Sequence, residues 1–335
     1  PLQWQYRNQQ ALMLAEFGRE FRNNTALEDA IRLYENTVVV LAPLDERPED
    51  WAATQQQLGY TLGLLGQRQR ATVMLEKAIG VFEDLLPVIS REQNPLGWAR
   101  AQDSYGNVLG ILGQRQGDTD MLKQSVAAFE AALEVRTRES VPMDWAATQN
   151  NLGTVLQVIA QREKDPKLLK KSVEAYRNVL QEWTRERAPS NWATTFNNLG
   201  MVLRLLGETR KGPRTLEQSV AAFQNALAER TREQFPIEWA MTQNNLGAAL
   251  QSLGKRSEDT HFLEESVKAY ECALQEITRE KAPMSWAMTL ANLGAPGAVD
   301  LTWGIRTEIV AQPARVATTL PDRAVTISPV SPDAG

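Results

Sequence analysis

The sequence has very few residues of the kinds that bind metals or act as nucleophiles. It contains one cysteine, Cys272, and one histidine, His261. A single cysteine cannot form a disulfide within the chain, and one Cys with one His excludes the usual Cys/His zinc clusters. We therefore expect no metal site, no cofactor and no internal disulfide, and a reducing compartment such as the cytoplasm fits.

The chain also lacks an excess of basic charge and a long apolar run. Its 36 basic and 41 acidic residues give a formal net charge of -5, which provides no basic stripe for a phosphate backbone. No stretch approaches the roughly 18 consecutive apolar residues that a membrane helix needs, and the N-terminus lacks a basic segment followed by an apolar one. We expect no nucleic-acid partner, no membrane contact and a cytoplasmic location.

Tryptophan and proline recur at a fixed interval of 47 residues. The tryptophans of this series are Trp4, Trp51, Trp98, Trp145, Trp192, Trp239 and Trp286, and the prolines are Pro48, Pro95, Pro142, Pro189, Pro236 and Pro283. A period between 20 and 50 residues indicates a stacked array in which each unit buries its apolar face against its neighbours. The chain begins at Pro1, inside such a unit, which suggests that it is part of a longer protein.

Each unit is predicted to contain two amphipathic helices, A and B. Helix A has its apolar or small residues at helical spacing, with the polar Gln149 as an exception; in one unit the series is Trp145, Gln149, Leu152, Gly153, Leu156 and Ile159. Capping residue types just before the tryptophans predict that helix A starts there; they are Asp50, Gly97, Asp144, Asn191 and Ser285. Glycines after the last apolar residue predict where it ends; they are Gly66, Gly113, Gly207 and Gly254, with Ala160 in the remaining unit.

Helix B of the same unit alternates small and large apolar residues, as close antiparallel packing requires. Its series is Leu169, Ser172, Val173, Tyr176, Val179 and Leu180. The first unit is irregular, because Gly18 comes one position early and residues 38–41 are Val-Val-Val-Leu. Residues 1–294 are therefore predicted to form an all-α solenoid of about six units plus a partial helix A at 286–294. Residues 295–335 contain five prolines and no helical period, so a disordered or foreign tail is predicted there.

The repeated motif resembles that of the tetratricopeptide repeat family. Leu152-Gly153 with Leu156, followed by Ser172, Tyr176 and Val179, resembles the family pattern, and the resemblance covers residues 4–294. The unit is longer than the family's 34 residues, with longer loops and a tryptophan at the helix start. The Asn-Asn-Leu-Gly runs at 150–153, 197–200 and 244–247 resemble the longer units of kinesin light chains and of bacterial signalling proteins. The resemblance implies a right-handed superhelix of antiparallel helix pairs whose A helices line a concave groove for a peptide or a partner segment.

Three positions of helix A lie opposite its apolar face on a helical wheel, five, nine and twelve residues after the tryptophan. Their polar and aromatic members are the predicted ligand-binding residues, because amides that both donate and accept can pair with a peptide backbone of any sequence. They are Gln56, Tyr60, Asp103, Asn107, Asn150, Thr154, Gln157, Asn197, Arg204, Asn244 and Gln251. The competing interpretation is a merely solvated face.

Other repeated residues are interpreted as structural. Asn151, Asn198 and Asn245 are expected to satisfy backbone groups between units, and the tryptophans to bury their rings against the preceding helix B. The Thr-Arg-Glu runs, such as 184–186, are interpreted as solvated charges at helix ends, with a charged partner site as the alternative. His261 and Cys272 occupy positions that vary freely between units, so no catalytic residue is predicted.

The favoured function is a non-catalytic scaffold that binds a protein or peptide segment. The alternative is a regulatory arm that restrains or recruits a peptidase, nucleotide-hydrolysing or kinase domain outside residues 1–335. An enzyme in its own right is the least favoured hypothesis. The exposed ends of an array are also candidate surfaces for self-association.

Overall fold

A computed structural model describes residues 2–294, so the predicted tail lies outside the described residues. The described part is helical and contains no β-strand. No helix within residues 2–294 combines the length and the apolar character that crossing a membrane requires. In chain order the helices are α1 (Leu2–Glu20), α2 (Asn24–Leu33), a π-helix (Tyr34–Val38), α3 (Val39–Leu41), α4 (Pro48–Arg68), α5 (Val73–Leu85), α6 (Pro95–Gln116), α7 (Thr119–Leu133), α8 (Pro142–Glu163), α9 (Pro166–Val179), α10 (Pro189–Glu208), α11 (Arg214–Leu227), α12 (Pro236–Ser257), α13 (Thr260–Leu274) and α14 (Pro283–Leu293).

The helices form consecutive A and B pairs that stack into a solenoid. Helices α4, α6, α8, α10 and α12 are A helices, each followed by its shorter B helix, and α14 is a final A helix. The first five pack on their own B helix, on the B helix of the unit before and on neighbouring A helices, and α14 packs on α13. The prediction of an all-α solenoid of helix pairs is confirmed.

Helix A begins earlier than predicted, at the repeated proline. In the third full unit Pro142 is the first helical residue, and the Trp145 amide donates to the Val141 carbonyl at 2.8 Å. Proline suits this place because its ring sets the helical φ and its missing N–H would have no partner in the first turn. Asp144 therefore lies inside the first turn, where its charge favours the positive helix end, and does not cap it.

The glycines predicted to end helix A lie within it. Gly207 is followed by the last residue of α10, Glu208, and a Cβ at Gly207 would lie 2.7 Å from the Leu216 Cδ2 atom. Gly66 has the same relation to Leu75, at 2.8 Å. These glycines permit close approach of helix B. Their role is to admit the neighbouring helix, whereas the sequence pattern predicted that they end helix A.

A second glycine row holds the middle of each helix pair together. Gly153 faces the ring of Tyr176, and the Ser172 hydroxyl donates to the Gly153 carbonyl at 2.7 Å. The same serine–glycine bond recurs as Ser125–Gly106, Ser219–Gly200 and Ser266–Gly247. Small residues on both helices thus let the backbones approach, and a buried aromatic side chain fills the space beside them.

Successive A helices are joined by arginines that the sequence analysis did not single out. Arg115, near the end of α6, donates to the carbonyls of Gly66, Gln67 and Gln69 at 2.8–3.0 Å. Arg68, Arg162 and Arg256 make equivalent bonds to the preceding A helix or the turn after it. Carbonyls at a helix end have no partner within the helix, so each unit supplies donors to the end of the one before.

The arginines of the Thr-Arg-Glu runs pair across units, which corrects the prediction of merely solvated charges. Arg185 is 2.5 Å from Glu229 of the next helix B end and lies 5.9 Å from the Trp192 ring centroid. Arg232 repeats this arrangement with Glu276 and Trp239. Each arginine remains about half exposed, and the loop places it beside both partners, so it bridges two units while staying in contact with water.

The first unit is irregular at the predicted place. Its B helix passes from α2 into the π-helix, and the capping Asn23 side chain accepts from the Ala26 amide. Gly18 still faces its helix B partner, Leu27, at 2.6 Å from a built Cβ. The core contact is kept although the helix geometry changes.

Candidate binding surface

The predicted stripe on the A helices is not uniformly open. Position nine is exposed in three units, at Tyr60, Asn107 and Thr154, and half-buried in the next two. Position five is buried at Gln56, which is 8 % exposed, and half-buried elsewhere. At position twelve Gln157 is also 8 % exposed.

Position twelve is covered because it faces the next A helix. A Cβ at Gly110, at this position in α6, would lie 3.0 Å from the Val155 Cγ2 atom of α8. In α12 the Gln251 side chain donates to the Asn292 carbonyl of α14 at 3.2 Å, and in α10 Arg204 pairs with Glu208 of its own helix at 2.5 Å. The helical wheel of an isolated helix misses this neighbour, so it does not show that Gln157 is buried and that Arg204 and Gln251 are only partly exposed. Ligand binding by these three residues stays a prediction.

Position five forms a continuous polar row, which we call the inner row. It comprises Gln56, Asp103, Asn150, Asn197 and Asn244. Four of these side chains keep a buried polar atom without a partner within residues 2–294; the atoms are Gln56 Nε2, Asp103 Oδ1, Asn150 Oδ1 and Asn244 Oδ1.

The flanking asparagines contact the inner row. Asn245 donates to Asn197 Oδ1 of the preceding unit at 3.2 Å, and Asn198 Oδ1 accepts from the Asn197 amide at 3.4 Å. We expected backbone groups as their partners. The observed bonds are to side chains, because adjacent A helices approach closely enough for the two rows to meet.

Asp103 differs from the other members of the row because it neutralises a buried arginine. Its Oδ2 atom lies 3.3 Å from Arg136 Nη1, and Arg136, whose side chain is 6 % exposed, also donates to Thr148 at 2.8 Å. Burial raises the pKa of Asp103, while the charge of Arg136 and the hydrogen bonds from Thr148, Arg136 and Asn151 oppose this.

Arg136 occupies a position that the sequence analysis overlooked, 38 residues after the tryptophan of its unit, which we call the loop position. It is filled in successive units by Ile89, Arg136, Trp183, Arg230 and Ile277. The signal in the sequence was a charged residue at an otherwise apolar repeat position.

Two cavities lie at equivalent places between the starts of adjacent A helices. One, of about 640 Å³, is lined by Gln56, Ile89 and Arg100 among others. The other, of about 350 Å³, lies three units further on and is lined by Thr194, Arg230 and neighbouring residues.

Helix α1, the first described helix, also presents apolar surface. A cavity of about 430 Å³ on α1 is lined by Tyr6, Met13 and Leu14 among others, and Tyr6 and Met13 are largely exposed. Self-association through the array ends stays a prediction.

The single cysteine and the single histidine both lie on α13, in different surroundings. His261 is exposed at the start of α13, and Cys272 is half-buried. Burial, followed by the charge of Glu271, raises the pKa of the Cys272 thiol, the opposite of what a nucleophile needs. No cluster of His, Cys, Asp and Glu within residues 2–294 could hold a metal ion.

Comparison with known proteins identifies the repeat. Residues 239–275 match the model of the tetratricopeptide repeat, and a search of curated proteins finds no match. Among solved structures, a putative kinesin light chain repeat protein from Podosopora anserina is 18 % identical over 64 % of this chain and 95 % of its own, with a TM-score of 0.44. BtubC from P. vanneervenii is 14 % identical over 80 % of this chain and 89 % of its own, with a TM-score of 0.40. The TPR2AB domain of yeast Sti1 in complex with pHSP90 is 13 % identical over 85 % of this chain and 98 % of its own, with a TM-score of 0.27.

The matched segment is one unit of the array, from Trp239 in α12 to the end of α13. The 47-residue spacing of tryptophan and the serine–glycine bond between helices A and B recur in the units before it. One unit of the array therefore matches the tetratricopeptide repeat, and the units before it share its spacing and its contact between helices A and B.

Proposed function

We propose that this array is a non-catalytic scaffold that holds an extended segment of a partner protein along the inner row. The observation that carries the proposal is the recurrence, at one position in four units, of a buried polar atom with no partner within residues 2–294. Tetratricopeptide arrays are protein-interaction folds, and this row follows the A helices from α4 to α12.

Unpaired polar atoms favour such a ligand energetically. A buried donor or acceptor without a partner costs about 1–3 kcal/mol, which an incoming hydrogen bond would recover. Asn150 and Asn244 are half-buried, so a small rotation of the amide can present it to a ligand. An amide both donates and accepts, so it pairs with the alternating N–H and C=O groups of an extended backbone whatever its sequence.

Position nine adds side-chain contacts that differ along the row. Tyr60 and Asn107 are exposed, whereas the Thr154 hydroxyl is already held by Tyr176 and by the Asn150 carbonyl. Met201 and Ala248 occupy the same position further on. The residues at position nine would therefore contact polar side chains of the partner near α4 and apolar side chains near α12.

The test is the triple substitution of Asn150, Asn197 and Asn244 by alanine. Each lost hydrogen bond is worth about 0.5–1.5 kcal/mol, so additive losses would weaken binding by about 1.5–4.5 kcal/mol, or one to three decades. Partners are captured from the native lysate with the parent chain and then titrated against parent and variant. Circular dichroism should show intact helices, because alanine is the better helix former.

A matched control replaces three exposed amides of the B helices, Gln124, Gln218 and Gln224, by alanine. This variant should bind like the parent. Unchanged affinity of the inner-row variant with intact helicity would contradict the proposal, and equal losses in both variants would show that the partner does not use the inner row specifically.

A further inference from the structure

Exposed basic side chains cluster at the turns between α8 and α9 and between α10 and α11, where two successive A helices end and their B helices begin. We call this cluster the basic edge; its members are Lys164, Lys167, Lys170, Lys171, Lys211 and Arg214. The ends of successive A helices lie side by side, because Arg162 donates to the Gln114 carbonyl of the preceding unit and Arg256 donates to the Glu208 carbonyl in the same way. The two turns therefore form one surface.

Basic residues are unfavourable for folding at the start of a helix. Lys167 and Arg214 lie in the first turns of α9 and α11, where the positive end of the helix repels a positive charge. The equivalent position of α7, 22 residues after the tryptophan of its unit, is filled by Asp120, whose charge is favourable there. The two basic residues thus lower the stability of their helices, so a role in folding does not explain them.

Acidic side chains of the chain do not pair with the basic edge. Within residues 2–294 no carboxylate lies within 4 Å of any of its six side chains, because the nearby acidic groups have other partners. Glu163 lies 2.8 Å from Lys123, and Glu208 lies 2.5 Å from Arg204. Asp165 accepts from a backbone amide at the start of α9 at 2.7 Å. The two remaining acidic residues are exposed about one helical turn further on; they are Glu174 and Glu217.

The charge of the basic edge is opposite in sign to that of the whole chain. Residues 162–177 and 208–217 contain nine basic and five acidic side chains, whereas the chain has a net charge of -5. A nucleic acid or a charged bilayer that extends past the basic edge would face the negative remainder of the chain. No large apolar side chain within residues 144–234 is exposed, so bases find no aromatic ring to stack on and a bilayer finds no side chain to insert. A short acidic protein segment meets neither obstacle.

We propose that the basic edge binds an acidic segment of a partner protein, a run of glutamate or aspartate residues in extended form. Its lysines on α9 lie within about two helical turns, and the turns of successive units are about 10 Å apart. The basic groups thus spread over about 20 Å, the length of an extended segment of about six residues. The surface is separate from the inner row, because about 20 Å of helix lies between Asn150 and Lys164.

The test measures the binding of two fluorescently labelled peptides to the full chain by fluorescence anisotropy. The acidic probe is a hexaglutamate peptide with blocked ends, and the neutral probe is the corresponding hexaglutamine peptide. We expect the acidic peptide to bind about tenfold more tightly at low salt, because several exposed ion pairs each add a small contribution. The preference should shrink as salt is added, since exposed charges are screened.

A double variant separates the basic edge from the net charge of the chain. Lys167→Asp combined with Arg214→Asp gives α9 and α11 the residue type that α7 has at Asp120, so the tenfold preference should disappear while the melting temperature stays equal or rises. A control variant of the same net charge replaces four exposed basic residues elsewhere by glutamine and should keep the preference. These four residues are Arg22, Arg70, Arg100 and Lys255.

Four results would overturn the proposal. One is equal binding of both peptides by the parent chain, and another is an equal loss of the preference in the double variant and in the control variant. The third is tighter binding of a hexauridylate RNA or of phosphatidylserine vesicles than of hexaglutamate, abolished in the double variant, which would assign the basic edge to phosphate groups. The fourth is a lower melting temperature of the double variant, which would show that the basic residues stabilise the fold.

Discussion

Contacts within the helix pairs hardly change along the array, whereas the residues at the inner-row and loop positions change from unit to unit. The serine–glycine bond between helices A and B recurs in four units at 2.6–2.9 Å. By contrast, the inner-row and loop positions together read Gln/Ile, Asp/Arg, Asn/Trp, Asn/Arg and Asn/Ile in successive full units. The fold therefore depends on the first set, and the second set is free to differ.

The difference teaches where recognition can reside. A solenoid is stabilised by repeated interfaces between neighbours, so positions that vary at little cost to those interfaces can be used for a ligand. The units of Asp103 and Arg230 show this. Asp103 forms an ion pair with Arg136 at the loop position, whereas Arg230 at the same position of its own unit lines a cavity.

The largest expected effect comes from a core residue of a helix pair. Leu199→Ala should lower the free energy of unfolding by about 2–5 kcal/mol, because it leaves a cavity in the middle of the array. Chemical denaturation of parent and variant measures the change. His261→Ala, at an exposed and variable position, should stay within about 0.5 kcal/mol of the parent. Similar losses of unfolding free energy in both variants would mean that repeated core positions and variable positions contribute equally to stability.

Alanine substitutions at two glycines should change the free energy of unfolding by smaller amounts and in opposite directions. Gly200→Ala should destabilise by about 1–3 kcal/mol, because the new Cβ would lie 2.8 Å from the Phe223 ring. Gly80→Ala, where a Cβ meets nothing within 4 Å, should stabilise α5 by about 0.5–1 kcal/mol. Both follow from thermal unfolding, and stabilisation by Gly200→Ala would refute the packing role of that row.

The arrangement of the helices could be predicted from the sequence, but the neighbours of a helix could not. The 47-residue period and the apolar spacing were sufficient for the helix pairs, because both follow from local periodicity. The start of helix A at Pro142 was missed because capping types near Trp145 outweighed the preference of proline for the first helical turn. The role of Gly207 was predicted wrongly, because a glycine near a helix end gives the same sequence signal whether it ends the helix or permits a neighbouring helix to approach.

The candidate site was only partly foreseeable for the same reason. A helical wheel describes one helix, so it could not show that Gln157 faces the next A helix or that Asn245 meets Asn197. The pairing of Asp103 with Arg136 joins residues from a helix and a distant loop. Only the three-dimensional register of the units brings them together.

The smallest effect concerns acid. The hydrogen bond from Arg232, with further help from the charges of Arg232 and Lys281, holds the pKa of Glu276 below its usual range. Stability from this pair is therefore present above the unfolded value of about 4.3 and is lost as the pH falls through the lower folded value. Melting temperatures of Glu276→Gln and the parent should differ near neutral pH and converge in acid. Glu264→Gln, at an exposed position of α13, should follow the parent throughout, and a gap for Glu276→Gln that persists in acid would contradict the assignment.

The separation of folding positions from binding positions is tested most directly by two triple alanine variants measured for both properties. One replaces Ser172, Ser219 and Ser266, which bridge the helix pairs, and the other replaces Asn150, Asn197 and Asn244 of the inner row. The serine variant should lose about 1.5–4.5 kcal/mol of unfolding free energy and, while folded, keep the partner's affinity. The asparagine variant should keep its stability within about 1 kcal/mol and lose one to three decades of affinity. Two results would contradict the separation. One is a loss of affinity in the folded serine variant, and the other is a loss of stability with unchanged affinity in the asparagine variant.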